Sequence, residues 1–361
     1  MIVSLSNALL YISYAILIGY FIISLCFKSL KESVHIPKSW ILGSILSIPL
    51  LSFVSLYSLS LQMASEFQMD IGEIFSQVLF QFQVGRAWIW TAVLSFVLFF
   101  FCINPFLGRN QVLQTFGLIL SIGIIFAQGW GSHAGSLSTA NFLFQAMHVL
   151  TVSIWVGVLF LVAWFSRDSI DWKKFLQQYT PIAIICIIIL TAAGILMMQD
   201  IVPSYFNSWV LSYGQALLIK HLLFAAILIF ALVNGILVRK KLKANQPNSI
   251  LSWIRAESIL VLFVFFTTAF MTEQSPPHEL EQVLAFEEAS WLYLLFSQGN
   301  VDLSQSIIPS VNLLSISLGI LAVLWGYSIV RTYLSKGSAT KGFIYSLLFV
   351  FFAYLAVMFA I

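Results

Sequence analysis

The chain is 361 residues long, 60% apolar and 9% charged, with a formal net charge of +3 and a mean hydropathy of +0.97. A chain of that composition is dissolved mainly in lipid, which excludes a soluble globular domain, and nothing in it suggests nucleic acid as a partner. Crossing the hydrocarbon takes about 20 mostly apolar residues. Ten stretches qualify: 8–27, 40–61, 87–104, 112–130, 140–165, 181–199, 214–238, 253–272, 310–330 and 342–361. The predicted fold class is therefore all-α, a polytopic integral membrane helix bundle of about ten transmembrane helices. The first stretch lacks a basic n-region and a small-residue cleavage site, so it reads as a span rather than a signal peptide.

Basic residues sort the connections by side. Lys28, Lys31 and Lys38 follow span 1, Arg109 follows span 3, and Arg167, Lys173 and Lys174 follow span 5. Arg239, Lys240, Lys241 and Lys243 follow span 7, Arg255 opens span 8, and Arg331, Lys336 and Lys341 follow span 9. Only Arg86 and Lys220 fall elsewhere. The positive-inside rule then places both the N-terminus and the C-terminus outside. Most of the 14 acids fall on outward segments, among them Glu66, Asp70, Glu73, Asp200, Glu273, Glu287, Glu288 and Asp302. A negative rim would concentrate a cation, although outward loops depleted of basic residues carry acids on topological grounds alone.

Three outward segments stand out in chain order. Residues 62–85 are long, acidic and partly amphipathic; 129–139 (GWGSHAGSLST) is glycine- and hydroxyl-rich around His133; and 273–309 is again long and acidic. In the last, Leu280, Val283, Leu284, Ala285 and Trp291 recur near helical spacing opposite Glu281, Glu287 and Glu288, which predicts a helix lying over the outer face. The chain divides into N-terminal helices (1–124), a four-helix core (125–280), and an outer segment with two C-terminal helices (281–361).

Read with this topology, every histidine but His35, and every methionine, falls on the outer side, and Cys26, Cys102 and Cys186 fall toward inner helix ends. Histidine and the soft thioether of methionine are copper ligands, the thioether favouring Cu(I). Met1, Met358, Met63 and Met69 inflate the count, and a lone methionine is ordinarily core filler. What survives is His133, His148, Met197, Met198 and Met271, with His221 and His278, at the predicted mouth of spans 5–8. The cysteines, on separate spans and without a C-x-x-C, read as small buried residues.

His148 lies roughly 12 Å below the outer end of span 5, where an ionisable group must pair or face a cavity. Thr151 and Trp155 follow on its face, and Gly157 permits close helix approach. A neutral, hydrogen-bonded bundle histidine fits the same position. Lys220 and His221 come at roughly 10–12 Å depth in span 7. Being adjacent, they point about 100° apart, and Lys220 must snorkel, deprotonate or pair with an acid such as Glu273 or Asp200. Near the inner ends, Asn234, Glu257 and Arg255 form a plausible structural network. No phosphate-binding loop, nucleophile elbow or H-E-x-x-H motif occurs, which excludes ATP-driven pumping by this chain alone.

The ordered pieces Ser-His133-Ala-Gly, His148 with Trp155-Val-Gly157, Tyr213-Gly214 with Lys220 and Asn234, and Glu257 leading into Thr267-Thr268 and Pro276-Pro277 resemble the CopD family of bacterial copper-resistance membrane proteins. The resemblance runs over about residues 125–280. It implies copper movement across the bacterial cytoplasmic membrane, usually inward, alongside a separate CopC-like extracellular or periplasmic copper carrier. The chain carries no CopC-like β domain, and spans 9 and 10 exceed the family's eight-helix plan. The expected protein is a copper permease, with a copper ion, Cu(I) or Cu(II), as its cargo. Two alternatives use His148 and His221: a membrane b-type cytochrome with these two as axial haem ligands, or a copper-dependent assembly factor.

Overall fold

In the computed structural model, ten helices among the described residues are long and apolar enough to cross a membrane. They are α1 (Ile2–Cys26), α2 (Lys38–Phe67), α3 (Gln83–Ile103), α4 (Gln111–Trp130), α5 (Thr139–Phe165), α6 (Trp172–Ile201), α7 (Ser212–Leu237), α8 (Ile250–Met271), α9 (Leu313–Leu334) and α10 (Ala339–Met358). The structure describes residues 1–27, 30, 33–104, 107, 110–166, 170–239, 250–297 and 307–361. Lys28, Lys31, Arg109, Arg167, Lys240, Lys241, Lys243 and Asp302 lie outside them, as do the side chains of Glu279 and Glu281. Each predicted span is matched by one helix, and the chain is a multi-pass, all-α membrane protein.

The chain forms two compact units, Met1–Met198 and Gln199–Ile361. In the first, α1 is the central helix, packed by α2, α4 and α5, with α3 bridging α2 and α4. Ala15 to Gly19 of α1 and Trp155 to Leu159 of α5 are buried without interruption, as expected of helices apolar on every side. The core joins Tyr14, Leu17 and Phe21 of α1 to Ile45 and Ile48 of α2, Leu98 of α3 and Ile124 of α4. Hydroxyls bind α1 to α2: Ser13 and Ser47 lie 2.7 Å apart, and Ser55 donates to Asn7 at 3.0 Å. The backbones of α1 and α5 meet at Gly19 and Gly157. A Cβ on Gly157 would overlap the Ala15 carbonyl and stand 2.9 Å from the Gly19 Cα, so the predicted close approach is met.

In the second unit α7 packs on α8 and α10, and α9 with α10 makes a hairpin. Trp253 of α8 joins them, its ring 5.6 Å from Phe230 of α7 and 5.2 Å from Tyr333 of α9. The 273–309 segment is broken rather than one helix: Leu280–Phe286 and Trp291–Leu294 are helical, separated by an extended residue at Ser290. That break shifts the phase. Tyr293 is buried against Trp209, Val210, Leu218 and Met358, whereas Trp291, expected on the packed face, is 68% exposed. The amide of Ser290 donates to the Val210 carbonyl at 2.7 Å, pinning the segment to the turn before α7.

The outward stretch 62–85 is largely helical as well. It continues α2 to Phe67 and adds a short helix, Ile71–Phe80, capped by the Asp70 carboxylate. Arg86, the basic exception on α3, has its guanidinium over the Trp130 ring, 5.8 Å from the centroid.

Candidate functional site

The candidate site residues divide between the two units. In the first, His148 of α5 faces α6, its Nδ1 3.2 Å from the Leu190 carbonyl. A carbonyl oxygen only accepts, so this bond puts the proton on Nδ1, and in the neutral imidazole Nε2 is then the nitrogen with the ligating lone pair. A ring N–H held by a backbone carbonyl is also the usual outer-shell support of a metal-ligating histidine.

The imidazole packs beside a glycine of α6, one turn beyond Leu190. A Cβ on Gly194 would meet the His148 Cε1 at 3.5 Å and Nδ1 at 3.7 Å. Met197 and Met198 follow Gly194 at i+3 and i+4, on the same side of α6. The Cα–Cβ bonds of a helix tilt toward its N-terminus, which for Met197 and Met198 is the direction of the Gly194 turn. Met197 is buried and Met198 partly so.

Thr151 does not reach the imidazole: its hydroxyl donates to the Met147 carbonyl at 2.8 Å and the His148 carbonyl at 3.1 Å. Trp155 is 3% exposed, and its carbonyl accepts from the Tyr179 hydroxyl of α6 at 3.0 Å. The Leu190 and Tyr179 bonds tie α6 to α5 at two levels. His133 is exposed at the start of a one-turn helix, His133–Leu137. Gln83 of α3 holds this turn through Nε2, donating to the carbonyls of Trp130 at 2.6 Å and Gly135 at 3.2 Å.

In the second unit, His221 of α7 lies with Nδ1 2.8 Å from the Tyr205 hydroxyl. Tyr205 belongs to the turn between α6 and α7, where burial pushes its phenol up to about 12, so it stays a neutral hydroxyl at physiological pH. Lys220, next to His221, is partly buried on α7. Deeper on α7, Asn234 Nδ2 donates to Glu257 Oε2 of α8 at 2.7 Å. Asn234 and Lys220 are two heptads apart on α7, as are Glu257 and Met271 on α8. The antiparallel register set by the Asn234–Glu257 bond therefore brings the buried Met271 roughly level with Lys220. His278 is exposed, in the short turn Pro277–Glu279.

Of the candidate ligands, His133, His148, Met197 and Met198 thus belong to the first unit and His221, Met271 and His278 to the second. Among the described residues no three His, Cys, Asp or Glu side chains gather into a metal-holding group. Imidazole with thioethers is a donor set suited to Cu(I). The cysteines form no such group: Cys102 and Cys186 are buried and Cys26 is exposed, all as free thiols. Cys186 lies roughly 21 Å from the Trp172 end of the 30-residue α6, so it is a mid-helix residue rather than an inner-end one.

What sequence reasoning missed is the pair of oxygens that hold the histidines, the Leu190 carbonyl and the Tyr205 hydroxyl, and the role of Gly194. Gly194, three residues before a Met-Met pair, was the available signal.

Residues 173–271 match the family model described as copper resistance protein D. Residues 1–141 match the model described as copper resistance protein D-like, N-terminal domain. The chain is also 26% identical over 236 residues to the copper transport protein CutJ of Bacillus subtilis (strain 168). That alignment covers 61% of this chain and 43% of the relative, so the chain spans less than half the relative's length. No solved structure matches the chain.

Proposed function

The chain belongs to the copper resistance protein D family, and on that premise we propose that it carries copper ions across the membrane its ten helices span. The observation that carries this reading is the His148 arrangement: an imidazole oriented by the Leu190 carbonyl, seated against Gly194, with Met197 and Met198 one turn further along α6. An ionisable side chain inside a membrane bundle is costly and marks an ion path by default. Here the Leu190 bond makes Nε2 the ring nitrogen whose lone pair suits a soft cation.

In this reading the membrane is the bacterial cytoplasmic membrane and the direction is inward. The charge sorting puts the His148 end of α5 on the outer side, where the acids raise the local cation concentration. His133, exposed before α5, and His278, exposed after α8, are the first ligands a cation would meet. His148 with Met197 and Met198 is the site within the first unit. Within the second unit the candidate ligands are Met271 and His221, the latter adjacent to Lys220. A separate copper carrier of the CopC type is the expected donor. The protein is a permease, with copper as cargo, rather than an enzyme.

Copper titration of the purified chain, wild type against His148→Ala, tests the site, and Cu(I) uptake into proteoliposomes tests transport. The expected result is weaker binding and slower uptake in the variant. Unchanged stoichiometry, affinity and uptake would remove His148 from the path.

A further inference from the structure

We propose that Glu257 and Asn234 form a proton-binding site inside the second unit, in which the Glu257 carboxyl takes up and releases a proton while Asn234 accommodates both states. Glu257 is 1% exposed and lies roughly 10 Å along α8 from its Ile250 end. It is the sole acid in the interior of the ten long helices; the others, Glu66 and Asp200, stand beside the last residues of α2 and α6. A lone carboxylate at such a position is expensive unless a proton or a cation accompanies it.

The partner is incompletely used. Asn234 Nδ2 donates to Glu257 Oε2 at 2.7 Å and to the Trp253 carbonyl at 3.4 Å, while Asn234 Oδ1 is buried and makes no hydrogen bond. With Oδ1 uncommitted, no hydrogen bond on that side of the amide holds Asn234 in one orientation. Turning the amide by half a revolution exchanges its oxygen and nitrogen. The pair therefore has two bonded arrangements: carboxylate accepting from Nδ2, and carboxylic acid donating to Oδ1. On release the Glu257 O–H bond breaks, the electron pair stays on the carboxylate, the proton passes to water at the inner end, and Nδ2 restores the hydrogen bond. Asn234 also sits within a π-helical turn, Val233–Leu237, a local widening often found where a helix does more than pack.

The donor chemistry selects the proton over a metal. Two oxygens are hard donors that do not favour Cu(I), and they fall well short of the six or more that a hard divalent ion takes. The ionisable groups on the packed elements supply no second carboxyl: Tyr213, Lys220, His221 and Arg239 on or just past α7, Tyr327, Arg331 and Tyr333 on α9, Lys341, Tyr345 and Tyr354 on α10, and Arg255 on α8 itself.

Infrared spectroscopy of the full chain in lipid bilayers, titrated from mildly acidic to mildly alkaline buffer, tests the site. The expected result is a deuterium-sensitive C=O band of a buried carboxylic acid that is lost in Glu257→Gln, returns in Glu257→Asp and shifts in Asn234→Leu. A spectrum without that band, or a band that Glu257→Gln leaves in place, overturns the proposal. Should Glu257→Gln fail to fold, an unshifted band in Asn234→Leu overturns the pairing by itself. The measurement uses no copper, so its failure and the failure of the copper reading are separate results.

Discussion

Gly194 offers a graded test of the His148 site without touching a ligand. A Cβ there stands 3.5 Å from His148 Cε1 and 3.7 Å from Nδ1, ordinary van der Waals contact, so Gly194→Ala should leave the imidazole in place. In Gly194→Val two further carbons extend roughly 1.5 Å beyond the Cβ. A β-branched side chain on a helix has essentially one χ1 well, so it cannot swing away. The ring must turn, and the 3.2 Å bond to the Leu190 carbonyl is lost. Loss of such an outer-shell partner costs about 10–100-fold in metal affinity, or about 1.4–2.8 kcal/mol of binding free energy. The loss of one hydrogen bond costs the fold only about 1 kcal/mol. Competition with a chromophoric Cu(I) chelator reads the affinity, and thermal unfolding reads the stability. Wild-type affinity in Gly194→Val, or an equal loss in Gly194→Ala, would refute the argument.

Other substitutions test the frame around the site. Gly157→Leu should separate α1 from α5 and destabilise the first unit by about 1–3 kcal/mol or more, measured as a lower unfolding midpoint in detergent. Met198→Leu keeps the volume and removes the thioether, so Cu(I) affinity should fall while thermal stability changes by less than about 1.5 kcal/mol. Tyr205→Phe leaves His221 without its hydroxyl partner and should cost about 1–3 kcal/mol. Burial raises the Tyr205 phenol from 10.0 to about 12. Its contribution is therefore complete below pH 10.0 and lost as pH rises through about 12, and Tyr205→Phe should remove that alkaline phase from an unfolding series. The purified chain should be colourless; a Soret band would favour haem ligation by His148 and His221 over a copper site.

The Asn234–Glu257 pair was legible in the sequence, because a carboxyl and an amide in apolar helices of adjoining spans have few other ways to be satisfied. Gly157 was legible for a similar reason, being a small residue where two fully apolar helices must cross. Trp291 was not. Its spacing fits one continuous amphipathic helix, and only the extended backbone at Ser290 turns it outward and Tyr293 inward.

Ten spans, their apolar faces and the sorting of basic residues by side follow from the sequence alone, because transfer into a bilayer is a property of each stretch of about 20 residues. The tertiary structure alone decides what each histidine touches. The Leu190 carbonyl is 42 residues from His148 and the Tyr205 hydroxyl 16 from His221. Contacts at that separation depend on how helices cross and on where a glycine admits a ring, and helical periodicity within one span does not specify either. The seat of His148 between the Leu190 carbonyl and Gly194 comes from that packing.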